Sequence, residues 1–344
     1  MIRFFREPKI NQRSRQQGVT LIELMVALAI GLIATAAMLK VYIDASRIYR
    51  FNDGLARLQE NGRFALEFVR RDVRAAGFWG CNSDSAISNV INPASNSWIN
   101  ISAGHIEGLN GTARSGQPDT PDSITLRGAF SSGVSVTSPM TSTSSDITVA
   151  SVLGFSKDSP TVISDCENAD FFSISNTPSN ETLALSHSAS GNNISNDFSK
   201  AYQTDARVYQ ARQITYCIAP GANDAIPALR RLTNPSASQT CSANGDELIE
   251  GIENLQFLYG EDTDADAEGN GGDGNANRYL AAGAAGLDID RVVSLRLSML
   301  VRSIENNLSS TSTSYTFNGT TITPDDRYLR KVFTTTITLR NKAK

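Results

Sequence analysis

The residues with the most chemical reach begin with a run of carboxylates. Residues 261–275 read EDTDADAEGNGGDGN, with Asp262, Asp264 and Asp266 at positions 1, 3 and 5 of a calcium-loop spacing. Glu268 then falls at position 7 and Asp273 at position 12. Crowded carboxylates repel one another and a hard cation relieves them, so calcium is the metal this loop would take. The spacing fits in part: Ala267 stands where Gly is wanted, and position 12 is Asp rather than Glu. Starting instead at Asp264 restores Gly269 at position 6 but leaves Asn275 at position 12. The same Gly, Asp and Asn content also describes a solvated loop between strands. No cofactor is required by this reading.

The cysteines are Cys81, Cys166, Cys217 and Cys241, with no C-x-x-C among them. An even count reads as disulfides in an exported body, with three possible connectivities. Closing the local loop between Cys217 and Cys241 leaves Cys81 with Cys166, and spacing alone does not decide among the three. Each bridge would add about 2–4 kcal/mol. Two histidines, His105 and His187, sit far apart in polar surroundings and read as surface or loop residues. A hydrolase triad or a histidine metal site is therefore poorly supplied, and an enzyme is not expected.

Charge and hydropathy say more. The 344 residues carry a net charge of −4, which gives no footprint for nucleic-acid binding. Yet residues 1–18 hold Arg3, Arg6, Lys9, Arg13 and Arg15 against Glu7 alone, so the rest of the chain is acidic. From Val19 to Leu39 the sequence is VTLIELMVALAIGLIATAAML. As a helix this run would rise about 31 Å, the thickness of a bilayer hydrocarbon core. A basic head stays cytoplasmic, so the body would lie outside.

Gly18 precedes the apolar run, and no small-residue cleavage site follows it promptly, unlike an ordinary secretory signal. A cut after Gly18 would remove the basic head and keep the membrane helix. Val19 would then carry a new α-amine one helical turn from Glu23. A carboxylate inside a membrane helix costs about 2.5–3.5 kcal/mol and needs a partner, which that amine would supply.

Gly18-Val19-Thr20-Leu21-Ile22-Glu23 resembles the type IV prepilin processing motif. The resemblance implies that a membrane prepilin peptidase cuts after Gly18 and methylates Val19, and that Glu23 docks subunits during assembly. Val19 stands where major pilins most often carry Phe.

The helical pattern continues beyond the membrane run. Ile48, Phe51, Leu55, Leu58, Phe64, Phe68, Val69 and Val73 recur mostly at three- and four-residue spacing. This predicts one helix over 19–76, ended by Gly77, with Gly62 as a weak point that bends it. The stretch ENGRFALEFVRRDVRAAGFWGC is similar to the corresponding segment of PilW-like minor pilins.

The body, residues 77–344, reads as β-rich. Residues 130–205 are rich in Ser, Thr and Asn, and short alternating pieces such as Ile147/Val149 read as β-strands joined by long polar loops on a variable surface. Further on, Val293–Val301, Phe333–Leu339, Leu255–Tyr259 and Ile214–Ile218 alternate apolar with polar. Such alternation predicts an antiparallel sheet with one buried face, which receives the helix in an α+β architecture. ITYCIA, ELIEGIENLQFLYGED, a strand ending LVRS and YLRKVFTTTITLRN follow the order of PilW-like proteins.

The resemblance implies a minor pilin of type IV pilus assembly, anchored in the inner membrane with its body in the periplasm and later at the cell surface. Its partners would be other minor pilins, the major pilin, the prepilin peptidase and the pilus assembly platform. Twitching motility, adhesion and DNA uptake would follow from having pili. The same plan serves a J-type minor pseudopilin of type II secretion, and a tip adhesin would share the biogenesis.

Overall fold

The computed structural model describes residues 18–80, 87–92, 104–112, 119–189, 192–221, 226–236, 238–264 and 272–341. Helix α1 runs unbroken over Leu21–Ala75, as the spacing predicts to within two residues. Gly77 ends it at φ +75°, the left-handed conformation that favours glycine at this position. The chain forms two compact units that divide this helix, residues 1–52 and 53–344.

In the second unit the strands are, in order, β1 (Ser88–Asn89), β2 (Ile106–Leu109), β3 (Ser123–Ala129), β4 (Val134–Ser135), β5 (Ile147–Thr148), β6 (Pro160–Ser164), β7 (Ala169–Ser173) and β8 (Ala184–Leu185). There follow β9 (Arg207–Pro220), β10 (Pro227–Thr233), the short helix α2 (Cys241–Asn244), β11 (Asp246–Glu250), β12 (Ile252–Glu261) and β13 (Arg278–Ala281). The last are β14 (Val292–Arg302), β15 (Tyr315–Phe317), β16 (Thr320–Ile322) and β17 (Arg330–Thr338).

In place of the single sheet expected, the described strands form two large sheets and two two-stranded ones, β5-β8 and β15-β16. Of the large sheets, one runs β1-β7-β6-β9-β10-β11, with β3 and β4 also on β9 and β2 on β3. The other is four-stranded, in the order β13-β12-β14-β17. Pairing is antiparallel except between β1 and β7. The four alternating runs of the sequence are segments of β9, β12, β14 and β17.

The largest core joins α1 to both of these sheets, on the face that the alternation predicts. Leu58, Ala65, Val69, Val73 and Ala76 of α1 meet Ile124, Leu126, Ile214 and Tyr216 of one sheet and Leu255, Phe257, Leu297 and Ile337 of the other. Gly62 lies on the same helical stripe and is buried. A Cβ there would stand 2.5 Å from the Phe333 ring, so this glycine makes room for that side chain against the helix.

Residues 130–205 differ from the expectation. They enclose a second core in which Phe172, Ile147, Leu185, Ile163 and Tyr202 are fully buried. Its strands are only two to five residues long, so its apolar residues are scattered among Ser and Thr and show no period. β9 passes through both cores, giving Val208 to this middle lobe and Ile214 and Tyr216 to the helix-backed core.

Candidate functional site

Three sets of residues were candidates, and the structure treats each differently. At the N-terminus, Thr20 precedes the first helical residue and its Oγ1 accepts a hydrogen bond from the Glu23 amide at 3.3 Å. Thr20-x-x-Glu23 is thus a helix-start pattern, and an acid in the first turn suits the helix macrodipole. That local use of Glu23 was legible in the spacing and went unread. From Val19 through Phe51 the large apolar side chains are exposed, including Leu21, Ile22, Leu24, Met25 and Leu28. A surface of this kind is stable only when something apolar covers it. The helix is long and apolar enough to cross a membrane.

Cys217 and Cys241 are bonded, tying β9 to α2. Cys166 is likewise disulfide-bonded, and Cys81 lies outside the described residues.

The acidic loop is seen at its two ends, while Asp266 and Glu268 lie outside the described residues. Asp262, Asp264 and Asp273 come together, with one carboxylate oxygen of each within 4.8 Å of the others. Amide groups already serve them. Asp262 is buried and accepts from the Gly274 amide at 2.7 Å and the Asp264 amide at 3.1 Å. Asp264 accepts from the Asn277 side chain at 2.8 Å, and Asp273 from the Asn275 amide at 2.9 Å. Hydrogen bonds from Asn275 hold the Asp273 carboxyl below its ordinary range. Each of the three acids thus accepts an amide hydrogen bond while an oxygen of each stays within reach of the other two.

Both histidines lie in loops, as one part of the expectation had it, but they are buried rather than on the surface. His105 lies beneath Gly77, where a Cβ would stand 3.2 Å from its ring. His187 stacks on Phe198 with ring centroids 3.7 Å apart, and its Nε2 lies 3.0 Å from the Ser145 carbonyl. Burial holds its pKa below the ordinary value, against the pull of the Ser145 carbonyl, Asp146 and Asp170. Local polarity misled because both residues are covered by segments distant in sequence, Gly77 over His105 and Phe198 over His187.

Several polar clamps had weak sequence signals or none. Asp72 is buried on the apolar stripe of α1 and accepts from Tyr216 Oη at 2.6 Å, joining helix to sheet. An acid between Val69 and Val73 was the available clue. Burial first, and Asp72 second, push the Tyr216 hydroxyl above its ordinary pKa. Arg330 is gripped by Glu253 (2.7 and 3.0 Å) and Asp326 (2.6 and 2.8 Å). The loop before β3 is held by Asp122, which accepts from the Phe257 and Gly111 amides, each at 2.7 Å. Nothing in the spacing of these residues foretells their pairing.

With this geometry in view, residues 215–341 match the family model of the type IV pilus-assembly protein W. Residues 13–39 match the prokaryotic N-terminal methylation motif. The first match spans most of β9 through β17, and the second contains Gly18, Val19 and Glu23. Among solved structures, a type IV-like pilin from Thermus thermophilus aligns over 84% of this chain and 99% of its own, at 11% identity and a TM-score of 0.37. The comparison with curated proteins returns no match.

Proposed function

We infer that this chain, which joins an N-terminal methylation motif to a PilW domain, is a minor pilin acting in the initiation of type IV pilus assembly. The observation that carries the reading is the exposed apolar run of the helix from Val19 to Phe51, which begins within the motif. Such a helix is a membrane anchor before assembly and a packing surface for neighbouring helices afterwards.

In this reading the basic head keeps residues 1–18 cytoplasmic and the body periplasmic. Prepilin peptidase cuts after Gly18, and Val19 becomes the methylated terminus. The Glu23 carboxylate pairs with an N-terminal amine inside the apolar helix bundle, where an unpaired charge would be costly. The chain joins other minor pilins and the major pilin on the assembly platform and remains near the filament tip. Its role is structural, and twitching, adhesion and DNA uptake follow from the pili it helps to start.

The test is a gene deletion scored for surface pili by electron microscopy and for type II secretion in the same strain. Loss of pili with secretion intact, restored by wild type but not by Glu23→Ala, is the expected result. Pili intact with secretion lost would assign the chain to the J-type pseudopilins instead. If both survive, the assembly role falls and a tip adhesin becomes the reading to test, through receptor binding.

A further inference from the structure

In an antiparallel pair, residues alternate between those whose N–H and C=O both face the partner and those whose both face away. β17 pairs with β14 alone, in unbroken register from Arg302↔Arg330 to Ser294↔Thr338. Two hydrogen bonds set the phase. The Leu339 amide donates to the Val293 carbonyl at 2.9 Å, and the Ser303 amide to the Leu329 carbonyl at 2.8 Å. Continuing that phase, Lys331, Phe333, Thr335 and Ile337 turn their backbone groups to β14. Val332, Thr334, Thr336 and Thr338 turn theirs away from the sheet, where none finds a partner among the described residues.

Native sheets protect such edges with short strands, charges, proline or bulges. The other edges here are protected. β13 has four residues and begins with Arg278, and β11 has five, of which Asp246, Glu247 and Glu250 are acids. β17 has nine residues, and Val332 to Thr338 contains no charge, no proline and no register shift. Basic residues bracket this bare stretch. Lys331 and Arg340 are exposed and make no ion pair among the described residues, whereas Arg330 is neutralised by Glu253 and Asp326.

We propose that β17 is a docking strand that takes an extended segment of a partner protein, acidic at both flanks, as a fifth strand of this sheet. Main-chain hydrogen bonds to Val332, Thr334, Thr336 and Thr338 hold the segment, and the acids meet Lys331 and Arg340. Its apolar residues alternate with polar ones, to continue the buried face that Phe333 and Ile337 begin. The proposal follows from the edge itself and stands apart from the pilin reading.

The test uses the full chain in detergent and three synthetic peptides that share an alternating Val/Thr core. One has Glu flanks, one has Lys flanks, and one has Glu flanks with alternate backbone amides methylated. Fluorescence anisotropy should show saturable binding of the first, about tenfold weaker binding of the second and none of the third. Thr336→Pro removes one outward N–H and leaves the ladder to β14 intact, a position where edge strands tolerate proline. It should weaken the first peptide about tenfold at an unchanged melting temperature. No saturable binding, or equal binding of the methylated or Lys-flanked peptide, overturns the proposal. So does self-association of the chain that Thr336→Pro abolishes, because the edge would then belong to a second copy. If Thr336→Pro unfolds the chain, the methylated peptide still decides.

Discussion

In the helix-backed core, β9, β12, β14 and β17 run 14, 10, 11 and 9 residues, and each places alternate side chains on one buried face. In the middle lobe, β5 to β8 run 2, 5, 5 and 2 residues. Strands that short present few ladder bonds, and side chains supply the rest. Asp170, fully buried, accepts from the Ser199 amide, from Ser199 Oγ at 2.6 Å and from Tyr202 Oη at 2.7 Å. Asn193 takes the Ser173 amide at 2.8 Å and gives to the Ser173 carbonyl at 2.7 Å, as a strand partner would. One core is set by period, the other by particular polar pairs. Deleting an apolar side chain and deleting a polar clamp should therefore act differently in the two.

The largest expected effect comes from cavities. Phe257→Ala and Phe172→Ala each remove a ring that is fully or almost fully buried and should cost about 3–5 kcal/mol. Hydrogen exchange should separate them. Phe257→Ala lowers protection throughout the body, whereas Phe172→Ala lowers it chiefly across β5 to β8. Equal loss everywhere would merge the two cores into one cooperative unit.

Next come the carboxylates. Asp170→Ala strands three donors and should cost about 3 kcal/mol, against about 2 kcal/mol for Asp72→Ala, which strands chiefly Tyr216. Denaturant melts of the two variants measure the difference, and the reverse order would break the contrast. Smaller again is Gly62→Ala, in which crowding of Phe333 outweighs the gain in helix propensity by about 1–2 kcal/mol. Phe333→Leu in the same chain should recover most of that loss.

Acid should find the middle lobe first. Burial holds the folded-state pKa of His187 below its unfolded value, so the unfolded chain takes up the proton sooner. The resulting stability is complete above about pH 6.5 and declines as the pH falls below it. Melting temperature should drop between pH 7 and pH 5, and His187→Phe should flatten that drop. The smallest effect concerns the acidic loop. A site with a Kd of about 1 mM would add about 0.4 kcal/mol at 1 mM calcium. With amides already on Asp262, Asp264 and Asp273, a calorimetric shift at or below that size is expected, and a larger one would make the loop a true calcium site.

Legibility followed the same division. Strands long enough to show period two could be read directly, as could a helix long enough to show its stripe. The N-terminal methylation motif was legible because leader charge, glycine, acid and apolar run all lie within one continuous stretch. The burial of the histidines, the packing at Gly62 and the core of residues 130–205 escaped local reading for a common reason. Each depends on what a distant segment places beside it: Phe198 beside His187, Phe333 beside Gly62, Tyr202 beside Asp170.

By itself the sequence determined the apolar helix, its processing motif and the alternating strands of the helix-backed core, because these are periodic or contiguous properties of the chain. Only the tertiary structure decided that one stripe of the helix packs on strands of two sheets, that a second core hides among Ser and Thr, and that Asp72 meets Tyr216. It alone left the last strand without a second partner strand among the described residues. Burial, pairing partners and edge position are set by segments remote in sequence, and no local pattern encodes them.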